Sequence, residues 1–88
     1  MMTADERVAA IQQRLNAELN PVSLEIEDNS ADHAGHASAG GAGHYTVHIS
    51  AAAFAGKAIL AQHRMVYHAL DDLMKEEIHA LIIKTKTA

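Results

Sequence analysis

Two stretches near the end of the chain decide the fold: Ala61-Gln62-His63-Arg64-Met65-Val66-Tyr67-His68-Ala69-Leu70 and Ile78-His79-Ala80-Leu81-Ile82-Ile83. The first has the three- and four-residue apolar spacing of an amphipathic helix, and the second is an apolar, β-branched strand that begins near a histidine. Only residues 71–77 separate them. The helix must therefore fold straight back onto the strand, and the preceding residues are expected to complete the sheet that it covers.

The N-terminal half predicts one helix and two more strands. Thr3-Ala4-Asp5-Glu6 is a capping box. The apolar stripe that follows it predicts a helix over residues 4–19, which Pro21 ends because proline excludes the α conformation from the residue before it. Strict alternation predicts strands at residues 22–27 and 44–50, and a short helix or turn follows through Phe54.

The resulting order, α-β-β-α-α-β, indicates an α+β fold in which helices cover one face of a small sheet. From residue 57 a single helical stripe runs through Ile59, His63, Val66 and Leu70 to Leu73. The expected core residues are Leu15, Leu19, Ile26, Val47, Ile59, Val66, Leu70 and Ile82.

Composition restricts the classes of protein that the chain can represent. Its 88 residues are enough for one domain, which we expect to span residues 1–88. No apolar run approaches the roughly 20 residues that cross a bilayer, so we expect a cytoplasmic protein without a membrane segment. The net charge of −4 argues against strong general binding of nucleic acid, and the absence of cysteine excludes a metal site built from this chain's own thiolates.

Seven histidines in so short a chain are the clear compositional anomaly. Two of them, His33 and His36, lie in residues 28–43, a glycine-rich stretch without periodicity that predicts a flexible loop. Two imidazoles three residues apart on a pliable loop can close on one metal ion, although a solvated polar loop is the more frequent explanation of such spacing.

The remaining histidines are weaker candidates from spacing alone. His44 and His48 share a strand face about 13 Å apart, too far to converge on one ion, so we expect surface residues, with His44 a lesser candidate because it borders the loop. His63 lies on an apolar stripe and is expected to pack in the core. His79 alternates with Leu81 and Ile83, which predicts a half-sheltered position at the start of the last strand.

Catalytic patterns are absent from the sequence. No serine lies in a nucleophile elbow, and no glycine-rich loop opens a helix after a strand. We therefore expect a protein that is not an enzyme.

Several segments together resemble the successive motifs of BolA-like proteins. They are Phe54-Ala55-Gly56-Lys57, the stretch Gln62-His63-Arg64-Met65-Val66-Tyr67, and Ile78-His79-Ala80-Leu81 followed by Lys84-Thr85. The resemblance covers essentially the whole chain and implies a fold like that of the class II KH domain, with a mixed three-stranded sheet. Two departures are Gln62, where the family often has Arg or Lys, and a turn at residues 55–58 without the KH Gly-x-x-Gly pattern.

The resemblance implies a non-enzymatic adaptor that pairs with a monothiol glutaredoxin and shares a [2Fe-2S] cluster with it, in cluster trafficking or iron regulation. It implies that His79 is one iron ligand and that the loop provides the second. His33 is the first candidate for that second ligand, and His36 is the next. The glutaredoxin and its glutathione would supply sulfur, and the isolated chain is expected to hold no cluster and to be a monomer or a weak homodimer.

A KH-like, DNA-binding transcriptional regulator is the alternative that the resemblance offers. It would use four cationic residues, Lys57, Arg64, Lys84 and Lys86. With so few cations we expect DNA binding to be weak. A third reading is that the loop histidines capture zinc or nickel.

Overall fold

A computed structural model describes residues 2–30 and 42–88. In chain order its elements are α1 (Ala4–Leu19), β1 (Ser23–Asp28), β2 (Gly43–Ala51), a 3₁₀ turn (Ala52–Phe54), α2 (Ile59–Leu70), α3 (Leu73–Glu76) and β3 (Ile78–Thr87). The expected strands are present, each shifted or extended by one or more residues, so that Asp28 and Gly43 belong to strands rather than to the loop predicted between them.

Helix α1 begins and ends where its local sequence predicts. The Glu6 backbone N–H donates to the Thr3 hydroxyl at 3.2 Å, and the Glu6 carboxylate accepts from the Thr3 backbone N–H at 2.8 Å. The bond from the Thr3 backbone N–H stabilises the charged carboxylate and is the main cause that lowers the pKa of Glu6. At the other end Asn20 adopts the left-handed conformation, with φ of 45°, immediately before Pro21.

The three strands form one mixed sheet in the order β1-β2-β3, with β1 antiparallel and β3 parallel to the central β2. Alternate residues of β2 pack under α1 and α2, so the helices cover one face and the α+β prediction is confirmed. The buried apolar core includes Ile11, Leu15, Leu19, Tyr45, Val47, Ile49, Phe54, Val66, Leu70, Leu73 and Ile83. No helix in the described ranges is long and apolar enough to span a membrane.

Two predictions about the second helical region are wrong. The stripe from Ile59 to Leu73 is not one helix, because the backbone of Asp71 leaves helical geometry (φ 8°, ψ −89°) and separates α2 from α3. Ile59 is also 60 % exposed instead of buried, since the buried face of α2 begins one turn later, at Gln62.

The predicted core position in the last strand is wrong by one residue. Ile82 pairs with Thr46 and is 58 % exposed, whereas Ile83 pairs with the core residue Val47 and is buried. A shift of one residue in a strand moves a side chain to the other face, so an apolar pair such as Ile82-Ile83 does not reveal its orientation by itself. Ile26 is partly buried and packs against the core rather than lying within it.

Gln62, the departure from the family motif, is a buried connector between three parts of the chain. Its side-chain amide donates to the backbone carbonyls of Phe54 at 3.2 Å and Lys57 at 2.9 Å, and its carbonyl oxygen accepts from the Thr85 hydroxyl. A buried amide with these partners is satisfied. Gln62 therefore ties the turn before α2 to β3.

A buried ion pair ties the start of α1 to the start of β3. Arg7 Nε donates to Glu77 Oε1 at 3.0 Å, and both side chains are about nine-tenths buried. The backbone N–H of Met2 donates to the same carboxylate oxygen at 3.2 Å. Since a buried charge is costly without its partner, each of these residues requires the other.

We expect Arg7→Met to lower the free energy of unfolding by about 3 kcal/mol, because it leaves Glu77 charged and buried without its guanidinium. The double variant Arg7→Met/Glu77→Leu should lose less than the sum of the two single variants. Urea unfolding measures both. Arg14→Met is the matched control, since Arg14 pairs with Asp72 at the surface and should matter much less. Additive single losses would contradict the coupling.

Candidate functional site

The register between β2 and β3 changes at the end of the sheet where both strands begin. Gly43 pairs with Ile78, but the next residue of β2, His44, pairs with Ala80, so His79 is an extra residue in β3. Such an extra residue is a β-bulge, a feature that redirects side chains and is frequent beside functional sites.

The bulge places His79 on the side of the sheet away from the helices. In a regular strand His79 would share the covered face with Leu81 and Ile83, as the sequence predicts. In the structure Ile78 is buried at 4 % exposure and His79 is exposed, so the prediction of a half-sheltered residue is wrong. The extra residue is the physical reason.

His79 meets His44 at this position. The two ring centres are 5.1 Å apart and the ring planes are inclined by 57°. His44 is only 9 % exposed, so the expectation of a surface residue is wrong for it. No sequence spacing could indicate the pair, because the bulge that joins the two residues is a property of strand pairing.

Two backbone hydrogen bonds on the β1 side hold His44. Its N–H donates to the Ser30 hydroxyl at 3.0 Å, and its carbonyl accepts from the Asn29 N–H at 2.7 Å. The Asn29 side-chain oxygen accepts from the Thr46 hydroxyl at 2.7 Å. The residues that follow β1 are therefore fixed against the start of β2, beside the histidine pair.

The Glu77 backbone also fixes this end of the sheet. Its carbonyl accepts from the Gly43 N–H at 3.0 Å. Gly43 lies one residue before His44, and Glu77 lies two residues before His79. The buried Arg7–Glu77 pair and this backbone bond thus stabilise the segment that carries both imidazoles.

Gly43 is required for the packing of Tyr45. A Cβ at position 43 would lie 2.3 Å from the Tyr45 hydroxyl oxygen and 2.4–2.5 Å from two of its ring carbons. Tyr45 is 1 % exposed, and its hydroxyl, near Arg7 and Ser30, makes no hydrogen bond of good geometry within residues 2–30 and 42–88. Burial is the main cause that raises the pKa of Tyr45, so the phenol stays neutral at physiological pH.

The other predicted metal ligands, His33 and His36, lie outside the described residues. Within the described ranges no three His, Asp, Glu or Cys side chains lie together as a metal site. His48 pairs with Glu27 across the sheet, with Nε2 2.5 Å from Oε2, away from the histidine pair. His63 is only partly buried, so its predicted core position is not reached.

The four cationic residues named for nucleic-acid binding do not form one surface. Lys84 and Lys86 lie on the uncovered face of β3, where their strand partners are His48 and Ser50. Arg64 lies on α2, in a groove that it lines with Glu18 of α1. Lys57 is exposed in the turn before α2. The structure therefore brings together only Lys84 and Lys86.

Chemically, the site offers nitrogen and no sulfur. Imidazole suits iron, copper, nickel and zinc, and the cysteine-free chain can add no thiolate. A group that needs both kinds of ligand would have to receive its sulfur from a second molecule.

Known proteins show which family has this fold. Residues 15–88 match the sequence profile of the BolA family, described as BolA-like protein. The BolA domain of SufE1 from Arabidopsis thaliana, a solved structure, superposes with a TM-score of 0.82 at 39 % identity, over 99 % of this chain and 95 % of that one. The chain belongs to the BolA-like protein family.

Two curated relatives give the range of proteins in which such a domain occurs. The chain is 46 % identical to "SufE-like protein 1, chloroplastic/mitochondrial" of Arabidopsis thaliana in an alignment that covers 88 % of this chain but only 22 % of that protein. It is 35 % identical to "DNA-binding transcriptional regulator BolA" of Escherichia coli strain K12, over 88 % of this chain and 71 % of that protein.

We expect Gly43→Ala to destabilise the fold by about 1–3 kcal/mol, because the added methyl group must displace the buried Tyr45 ring. The displacement should also shift the ring resonances of His44 and His79 in NMR spectra. Gly56→Ala is the control. A Cβ at position 56 meets no neighbouring atom, so the only cost of this variant is the local backbone strain of a residue other than glycine at a φ of 74°. Unchanged histidine resonances in Gly43→Ala would contradict the coupling.

Proposed function

We propose that this protein is a non-enzymatic adaptor that pairs with a monothiol glutaredoxin and shares a [2Fe-2S] cluster with it, in cluster trafficking or iron regulation. The observation that carries the proposal is the His79 side chain, exposed by the bulge beside a second imidazole. An exposed imidazole at the end of a sheet can approach a ligand held by another protein.

The donor set is consistent with a shared site. The cluster supplies iron with open positions for nitrogen, and histidine ligation of one iron is known from Rieske centres. This chain has no cysteine, so every thiolate must come from the partner. His79 would bind iron, and the rigid strand behind it, fixed through Glu77, would hold its ring in place.

The second ligand would come from the segment between β1 and β2. By family resemblance it is His33, with His36 in reserve. Ser30 is hydrogen-bonded to the His44 backbone, and three residues of chain can reach about 10 Å, so a ligand at position 33 is compatible with the described geometry.

Anaerobic mixing with a cluster-loaded monothiol glutaredoxin tests the proposal. The visible absorption and circular dichroism should change and saturate at one chain per glutaredoxin. His79→Ala should abolish the change while leaving the melting temperature nearly intact, because the side chain is exposed. His68→Ala, an exposed histidine on α2, is the matched control and should behave like the unmodified chain.

Two results would refute this function. One is an unchanged spectrum with the two proteins eluting separately. The other is loss of the folded state in His79→Ala, which would make His79 a structural residue.

A DNA-binding role is the second candidate, because the Escherichia coli relative carries that name and Lys84 and Lys86 lie side by side on the uncovered face. The acidic residues Glu25 and Glu27 share this face. In the sheet register Glu25 lies opposite His48, which in turn lies opposite Lys84. The neighbouring negative charge should limit affinity for phosphate.

For DNA we expect a shallow salt dependence. Two phosphate contacts give a slope of log K against log salt of about −2, and Lys84→Gln with Lys86→Gln should bring it close to zero. Lys57→Gln with Arg64→Gln is the control with the same charge change at separate positions. A slope steeper than about −4 would contradict a two-lysine contact and favour a larger interface. Fluorescence anisotropy with duplex DNA at several salt concentrations measures it.

A further inference from the structure

We propose that β3 is an interface for self-association. Two copies of this chain pair their β3 strands antiparallel through residues 80–84, about a two-fold axis at Ile82, so that their three-stranded sheets join into one continuous sheet. The inference goes beyond the proposed function and does not depend on it.

β3 is an edge strand with unused backbone groups along one side. In residues 2–30 and 42–88 its only strand neighbour is β2, and no residue of β3 bonds through its backbone to a turn or loop. An edge strand presents a row of N–H and C=O groups with which a further strand can pair. β3 has ten residues and is longer than most strands, so this row is an extended one.

Two features limit which part of this edge can pair. The bulge at His79 disturbs the first residues of β3, and Lys84 and Lys86 add charge to its second half. Bulges and lysines are common devices that keep edge strands from pairing. The residues between them, 80–83, are all apolar and in regular register with β2. The accessible segment is therefore short and is centred close to Ile82.

Ile82 is the side chain that pairing at this centre covers. It lies on the face of the sheet away from the helices and is more than half exposed, whereas its neighbour Ile83 is buried in the core. A two-fold axis at Ile82 brings the same residue of both copies opposite each other, as in other self-complementary interfaces. The pairing therefore removes an exposed, β-branched side chain from water in both copies and joins the two in a stabilising cross-strand pair.

Charge favours a second copy of this chain in the antiparallel orientation. Antiparallel pairing about Ile82 places Lys84 of each copy opposite Ala80 of the other. It also brings Lys86 toward the start of the other β3 strand, where Glu76 is exposed. Parallel, in-register pairing would instead set each lysine beside its counterpart, and like charges directly opposite each other destabilise a sheet. The charges of β3 are thus complementary to those of a second β3 that runs the other way.

Sedimentation velocity of the full chain over a range of concentrations tests the self-association. The paired segment is short and buries little surface, so we expect a monomer–dimer equilibrium with a Kd on the order of 1 mM. In NMR spectra of a mixture of ¹³C-labelled and unlabelled chain, nuclear Overhauser effects between copies should join Ile82 to Ile82 and Ala80 to Lys84.

Two variants and one control test the register. Ile82→Lys should weaken the dimer about tenfold or more, because it places two like charges opposite each other and removes the apolar contact. Ala80→Glu should tighten the dimer about threefold or more, because each new carboxylate lies opposite Lys84 of the other copy. Val22→Lys is the matched control. It makes the same change at an exposed apolar residue beside β1, at the other edge of the sheet, and should leave the Kd unchanged.

Three results would overturn the inference. One is a chain that stays monomeric at several times the expected Kd. Another is a dimer that Ile82→Lys and Val22→Lys weaken equally, since the contact would then lie elsewhere on the surface. The third is a dimer that Ala80→Glu weakens, which would contradict the antiparallel register. These measurements contain no glutaredoxin, so their outcome is independent of the proposed function.

Discussion

The parallel pairing of β2 with β3, with one extra residue at its start, is the constraint on which the rest of the structure depends. From His44 and Ala80 onward the two strands are in regular register, and their covered faces form the floor of the core. Before that point the register differs by one. That single residue decides whether the His79 imidazole lies under the helices or outside them.

A bulge at the end of a sheet leaves part of the hydrogen-bonding ladder unused, so other contacts must hold it. Here the Glu77 carbonyl binds the Gly43 N–H, and the Glu77 carboxylate is neutralised by Arg7. Gly43 in turn leaves room for the Tyr45 ring. The polar contacts and the core packing therefore meet at the same few residues at this end of the sheet.

The sequence predicts the elements whose signals are local. Two such signals are confirmed: the capping box of Thr3 and Glu6, and the alternation of Tyr45, Val47 and Ile49. Each is formed by residues that are close together in the chain. The errors occur where the outcome depends on pairing between distant segments. Neither the choice of Ile83 over Ile82 for the core nor the bulge at His79 can be obtained without knowing the register against β2.

Gln62 illustrates the same limit from the opposite direction. From the family motif alone, Gln62 would be interpreted as the loss of a surface charge. In the structure the residue is only 5 % exposed, and its amide hydrogen-bonds to Phe54, Lys57 and Thr85. Only the position of α2 over β3 makes those partners available. The interpretation of a motif residue thus depends on whether the fold presents it to solvent, and an amide serves inside where a charge would be costly.

The histidine pair and the two lysines lie toward opposite ends of β3. At about 3.3 Å per residue, His79 and Lys84 are roughly 16 Å apart along the strand, and Lys86 is farther still. An ion or partner at the histidines would therefore leave the lysines uncovered unless it were large enough to extend along the sheet. The two candidate functions use different side chains, so a variant at one end can be interpreted without reference to the other.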